Sequence, residues 1–219
     1  MSLQLFAHPF AAYCQKALIA LYENGTRFTY RVLDQSDPAT FEEFARLWPI
    51  RKFPLLVDDG RVIAEATIII EHLGVHHPGP VRLIPEDAAA ALEARFLDRF
   101  FDNYVQTPVT KIVTDRLRAP EERDAKGVAD ARQQLDTAYR WLEQHMADRE
   151  WATGESFSLA DCAAAPSLFY ADWTHPIGDE FAAVRAYRSR LNQRPSFARC
   201  IEEARPYRPL FPLGAPERD

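Results

Sequence analysis

Residues 3–33, LQLFAHPFAAYCQKALIALYENGTRFTYRVL, hold the pattern that decides the fold of this 219-residue chain. Leu3 to Phe6 reads as a short strand, ended by the turn Ala7-His8-Pro9. From Tyr13 onward the positions Tyr13, Ala17, Leu18, Leu21 and Tyr22 recur with helical period, and Asn24-Gly25 stops the helix where a left-handed cap is expected. Phe28 to Leu33 then alternates, with Phe28, Tyr30 and Val32 on one side and Thr29 and Arg31 on the other. A strand, a helix and a strand within about thirty residues make a βαβ unit, so the two strands are expected to run parallel.

Asp37-Pro38 opens a polar, helix-like stretch that runs to Leu47. Pro54-Leu55-Leu56-Val57, the turn Asp58-Asp59-Gly60 and Arg61-Val62-Ile63 read as a β-hairpin. Thr67 to Leu73 (TIIIEHL) is rich in β-branched residues, but its place after a hairpin suits a helix closing over the sheet. HHPGPVRLIPED carries three prolines and a glycine and reads as a linker. Beyond it every long segment has helical period. Asp87 to Leu117 is one long candidate helix with Leu92, Phe96, Phe100, Tyr104 and Val105, expected to kink at Pro108. Glu121 to Ala147 is a second, with Val128, Leu135, Tyr139 and Leu142 on one face. Ser158-Leu159-Ala160-Asp161 fits a capping box, flanked by Phe157 and Cys162 at staple positions, and Pro166 should kink the helix that follows. The expected division is a domain at 1–78, a linker at 79–86 and an all-helical domain at 87–219.

Composition narrows the functional classes. With 47% apolar and 26% charged residues the chain is ordinary globular protein, long enough to fold without disulfide staples. A net charge of −6 and the lack of any basic run argue against nucleic acid or an anionic membrane as partner. Cys14, Cys162 and Cys200 are odd in number and far apart, so neither a disulfide framework nor a metal site is expected, and a reducing cytoplasm fits best. No signal peptide is visible, and the apolar runs are too short to span a bilayer.

Four motifs in order carry a resemblance. HPFAAYCQKALIALYENG resembles the first loop and helix of bacterial glutathione S-transferases, and LWPIRKFPLLVDDGRVIAEATIIIEHL resembles the second half of their N-terminal domain. ESFSLADCAAAP resembles the capping box of the family's C-terminal domain, and RPSFARCIEEARPY its closing helix. The resemblance covers nearly the whole chain. It implies an α/β plus all-α protein: a thioredoxin-like βαβαββα N-terminal domain followed by a helical-bundle C-terminal domain. It also implies glutathione as co-substrate, a hydrophobic electrophile as second substrate, and a homodimer.

Site residues follow from the same resemblance. Phe53-Pro54 stands where the family carries a cis proline, beside a main chain that pairs with the cysteinyl backbone of glutathione. The alternative is that Pro54 simply begins an edge strand. Glu65-Ala66 occupies the family's Glu-Ser position. A glutamate suits the γ-glutamyl ammonium and helix-start N–H groups suit its carboxylate, but Ala66 lacks the serine hydroxyl. Glu65 could equally be a solvated first-turn acid. Arg51, where relatives usually have glycine, and Lys52 could hold the glycyl carboxylate or be solvated loop charges.

The activating hydroxyl or thiol of the family is missing, because Ala11 stands at its position and Ala12 replaces the usual proline or serine. The remaining thiolate stabilisers are the helix-start N–H groups near Ala12 and Tyr13, the Tyr13 hydroxyl, and Cys14. Tyr13 and Cys14 also read as ordinary core residues. Phe10, Tyr104, Thr107, Pro108 and Lys111 are the candidate walls of the second-substrate pocket, or else core. The expected activity is conjugation, dehalogenation or isomerisation. The alternative is a glutathione-binding protein without turnover.

Overall fold

The computed structural model describes residues 2–34 and 36–219; Met1 and Gln35, both inside the expected first domain, lie outside the described residues. Strand β1 (Leu3–Ala7) runs parallel to β2 (Thr29–Val32), with Leu5 opposite Tyr30. The connecting helix α1 (Ala12–Glu23) ends at Asn24, and Gly25 takes a left-handed φ of 58° that a side chain would resist. Helix α2 (Pro38–Leu47) begins at Asp37, whose carboxylate accepts from the Thr40 N–H at 3.1 Å. The hairpin of β3 (Leu55–Asp58) and β4 (Arg61–Ala64) adds β3 antiparallel to β1, which completes a sheet of order β2-β1-β3-β4. Helix α3 (Ala66–His76) follows β4 directly, as the sequence predicts for residues 67–73. One sheet face packs on α1 and α3. The other holds a smaller core of Phe6, Leu33, Phe44, Leu55 and Val57 beneath α2.

The remainder is helical: α4 (Ala88–Phe100), a π-helical turn (Phe101–Gln106), α5 (Thr107–Arg116), α6 (Ala125–His145), α7 (Leu159–Thr174), α8 (Ala182–Gln193) and α9 (Pro195–Ala204). The single helix expected over 87–117 is therefore three segments. Pro108 has no N–H and its ring crowds the carbonyl four residues back, and the π-turn just ahead relieves both by widening the helix. The apolar line Leu92, Phe96, Tyr104 faces outward, 52–68% exposed, while Phe100 and Val105 of the same stretch are buried. The helix expected over 121–147 starts later, because Asp124 accepts from the Gly127 N–H and caps it there.

Helix α7 is buried along its whole length and continues through Pro166. Its capping box forms as expected. Asp161, fully buried, accepts from the Ser158 N–H at 2.8 Å, the Ala152 N–H at 2.8 Å and the Tyr187 hydroxyl at 2.6 Å. Burial pushes this carboxyl upward, and those donors oppose the shift.

A buried cation joins the sheet domain to the helices. Lys16 on α1, 1% exposed, pairs with Asp98 of α4 at 2.5 Å and with Asp102 of the π-turn at 2.8 Å. Its ammonium also donates to the Thr67 hydroxyl of α3 at 3.0 Å, and that hydroxyl donates to Asp98 at 2.9 Å. A second set of bonds fixes the loop between β1 and α1. The Phe10 N–H donates to His8 Nδ1 at 3.1 Å, so that nitrogen must be unprotonated. Gln15 donates to the Pro9 carbonyl at 2.8 Å and to the Tyr170 hydroxyl of α7 at 3.1 Å, and Tyr170 donates on to the Phe10 carbonyl at 3.2 Å.

Two measurements probe these ties. Lys16→Met removes the buried cation from Asp98 and Asp102 and leaves them the half-exposed Arg99, which pairs with both, so urea denaturation should show a loss of about 1–3 kcal/mol. Burial holds His8 below its ordinary value of 6.5, against an opposing pull from Asp34. The unfolded chain therefore takes up this proton first, and the His8 contribution, present above pH 6.5, is lost as pH falls toward the folded value. The urea midpoint should drop between about pH 7.5 and about pH 5, and His8→Gln should flatten that drop. An equal drop in the variant would assign it elsewhere.

Candidate functional site

The sheet register gathers the predicted residues at one end. Phe6 of β1 lies opposite Leu55, and Leu55 lies opposite Ala64. The exit of β1, the entry to β3 and the exit of β4 are thus neighbours. Ala12 follows the first, Phe53-Pro54 precede the second, and Glu65-Ala66 follow the third. The N-termini of α1 and α3 consequently open toward the same end. Each brings backbone N–H groups without intrahelical partners and a positive dipole end. Neither start has a side-chain cap, since Ala11 has no group to offer and Glu65 makes no capping bond. Such an end suits an anion.

Two backbone features here escaped the sequence reading. Arg51 and Glu65 are non-glycine residues at φ 56° and φ 72°. Left-handed backbone costs an ordinary residue about 1–2 kcal/mol, a cost that glycine would not incur at position 51. Such backbone strain clusters at functional sites, which makes Glu65 a candidate. The Phe53-Pro54 peptide is cis. Arg51, Lys52, Phe53 and Glu65 are exposed, and Pro54 and Ala66 are buried.

The two candidate side chains of α1 separate. Cys14 is fully buried and its sulfur accepts from the His8 N–H at 3.4 Å. Burial pushes its thiol up to about 12, so it packs as a small hydrophobe and offers no thiolate at neutral pH. Tyr13 is half-buried near Asp102, Arg99, Thr107 and Glu65. Burial, and then the Asp102 charge, push its hydroxyl up to about 12, so it stays protonated and can donate.

Beside Ala11 and Ala12 lies a cavity of about 230 Å³ between the β1–α1 loop, α5, α7 and the C-terminal segment. Phe10 lines it. The other four expected wall residues do not: Tyr104 is exposed, Pro108 is buried, Thr107 bonds the Asp102 carbonyl at 2.9 Å, and Lys111 pairs outward with Asp124 at 2.5 Å. The wall is instead Gln106, Val109, Thr110 and Val113, the same helical spacing moved on by two residues. Tyr170 and Phe211 close the far side around Phe10, with ring centroids 5.5 Å and 6.3 Å from it. Nothing local in the sequence ties Tyr170 or Phe211 to a loop at residue 10. A helical-period search restarted after Pro108 would have found Val109 and Val113.

Comparison with known proteins agrees with this geometry. Residues 5–81 match the glutathione S-transferase N-terminal domain model and residues 105–195 match the C-terminal domain model. The glutathione S-transferase-like protein LUC7 of Fusarium sp. is 32% identical over 131 residues, which is 59% of this chain and 59% of that protein. A stringent starvation protein A homolog of Haemophilus ducreyi is 28% identical over 93% of this chain and 92% of its own length. A glutathione S-transferase of Methylobacterium radiotolerans, crystallised with glutathione sulfonate, superposes with a TM-score of 0.79 at 28% identity, covering 92% of this chain and 95% of that one. With both domain models matched in order, on a sheet and helical bundle that superpose on a solved member, the chain belongs to the glutathione S-transferase family.

Proposed function

We propose that the protein binds glutathione across the end of the sheet where α1, β3 and α3 meet, and presents its thiolate to a small hydrophobic electrophile. The carrying observation is the convergence of two uncapped helix starts with Phe53-Pro54 and the strained Glu65. The Phe53 main chain extends the sheet edge to the cysteinyl backbone. Glu65 meets the γ-glutamyl ammonium, and the first N–H groups of α3 meet the neighbouring carboxylate. Arg51 and Lys52 face the glycyl carboxylate.

The sulfur then lies by the start of α1, next to the 230 Å³ cavity. A free cysteine thiol has a pKa near 8.5, so only a few per cent is ionised at pH 7. The N–H groups of Ala12 and Tyr13 favour the thiolate over the thiol, and the protonated Tyr13 hydroxyl is a further donor. The sulfur lone pair forms a bond to the electrophilic carbon, and the leaving group departs with the bonding pair. Substitutive conjugation and dehalogenation share this step; in isomerisation no group leaves, the displaced π pair is held by the conjugated activating group, and it returns to re-form the double bond as the sulfur is expelled with its own pair. The cavity's apolar walls select an apolar electrophile, with Gln106 and Thr110 as its polar exceptions. A reducing cytoplasm suits three buried, unpaired cysteines.

A second reading is a glutathione-binding protein without turnover. Two observations favour it: Ala11 contributes no hydroxyl, and the cavity falls below the roughly 300–1,000 Å³ usual for ligand pockets. Titration calorimetry with glutathione, beside a panel of electrophiles, separates the two in the wild type and in Ala11→Ser. A hydroxyl donor to the thiolate is worth about 1.5–3 kcal/mol, so the variant should lower the bound-thiol pKa by about one unit. Conjugation should then run several-fold faster at mildly acid pH, with the gain fading where solvent already ionises the thiol. The thiolate ultraviolet band against pH reads the shift directly. Binding without acceleration in either protein would select the second reading, and no binding at all would overturn both.

We further infer a homodimer built on the outward apolar line Leu92, Phe96 and Tyr104, with Trp141 beside it and Ile68 on α3. Light scattering should return twice 25.0 kDa, and Phe96→Asp should halve it. A wild-type species of 25.0 kDa at micromolar concentration would refute this.

A further inference from the structure

We propose that Asp58, His72 and His77 form a binding site for one divalent transition-metal ion, with zinc the best match. The site lies at the C-terminal end of α3, away from the end that carries Glu65. Asp58 is the last residue of β3, His72 lies on α3, and His77 is the first residue beyond it. His72 Nε2 stands 2.9 Å and His77 Nε2 2.7 Å from the same carboxylate oxygen, Asp58 Oδ2. One donor atom from each of the three residues lies within 4.8 Å of the other two.

Those distances are close to what an ion needs. Zinc bonds of about 2.0–2.2 Å at tetrahedral angles set neighbouring donors about 3.4 Å apart. Opening the two His–Asp contacts by about half an ångström would admit the ion, a change within reach of small side-chain rotations. The donor set also discriminates. Two imidazoles and one carboxylate suit zinc, nickel or cobalt, whereas calcium and magnesium require a shell of oxygens. The side chains are 8%, 14% and 19% exposed for His72, Asp58 and His77, so the niche is walled but open on one side. Water can complete the fourth position there.

The local backbone builds this niche. The β3–β4 hairpin and α3 follow one another without long loops, which fixes the end of α3 against the end of β3. A continuing helix would pair His72 with His76, four residues on. The chain instead leaves helical geometry at His77, with φ −133° and ψ 53°, while its N–H still donates to the Leu73 carbonyl at 2.8 Å. His77 thus reaches Asp58, and His76 stays exposed with its ring 4.4 Å from that of His72. Two chelates compete on paper: the helical pair His72 and His76, and the three-residue set that includes Asp58. The carboxylate and the deeper burial favour the second. A bound ion there would pin the last turn of α3 to the sheet.

The test uses the full-length, untagged protein in thiol-free buffer, titrated with zinc chloride in a calorimeter. One ion per chain is expected. Asp58→Asn and His77→Ala should each weaken binding by more than about tenfold, and His76→Ala should leave it unchanged. Zinc should raise the thermal midpoint of the wild type and of His76→Ala but not of Asp58→Asn. Cobalt(II) should give visible absorption bands of tetrahedral intensity that Asp58→Asn abolishes. Circular dichroism checks folding, and His77→Gln replaces any His77→Ala protein that fails it. Loss of binding in His76→Ala with retention in Asp58→Asn would assign the metal to the helical pair and overturn the proposal. Absence of saturable zinc binding to the wild type would overturn it too.

Discussion

Lys16 places a positive charge where water cannot reach it, and much of the architecture follows from that. An isolated buried ammonium costs several kcal/mol, so α1 is tolerable only where Asp98 and Asp102 meet it. Those acids sit on α4 and on the π-turn, and Thr67 on α3 completes the set. Three helices from both halves of the chain are thereby held in one register. Apolar packing alone would let the halves slide by a fraction of an ångström at little cost. The shared ion-pair cluster, to which Arg99 adds a contact with both acids, resists that displacement, because each lost contact weakens the compensation of a buried charge. The start of α1 is one turn upstream of Lys16, so the candidate sulfur site inherits its position from this pair.

The first half of the fold was readable because its signals are local. Asn24-Gly25 ends α1, Asp37 caps α2, and the Asp58-Asp59-Gly60 turn makes the hairpin, each by chemistry confined to a few residues. The Ser158–Asp161 box was legible for the same reason. The helical half was read less well where geometry departs from the regular helix. Leu92, Phe96 and Tyr104 have core composition and helical spacing, yet they point outward, since spacing identifies a face and says nothing of what covers it. Lys16 gave no sign of burial, because a lysine amid Ala17, Leu18 and Ile19 looks like the polar edge of an amphipathic helix. Its partners lie more than eighty residues away.

The candidate site divides in the same way. Phe53-Pro54 and Glu65-Ala66 were found because family likeness and chain order point to them, and the strand register brings them together. The φ values of Arg51 and Glu65 could not be read, since neither residue type announces a left-handed backbone. Cys14 and Tyr13 were indistinguishable as candidates until burial separated them. One is enclosed by the core and the other keeps an edge toward Asp102 and Thr107.

The π-turn at Phe101–Gln106 carries a consequence of another kind. Deleting one residue within it would restore the regular helix and rotate everything downstream by about 100°. Val109 and Val113 would leave the cavity, and their neighbours would take over the wall with no substitution among them. The chemical character of the pocket therefore depends on how many residues separate Phe100 from Pro108 as well as on which residues they are. A lineage carrying this fold could exchange one set of acceptable substrates for another through a change in length alone, in one step, while every wall-forming codon stayed as it was.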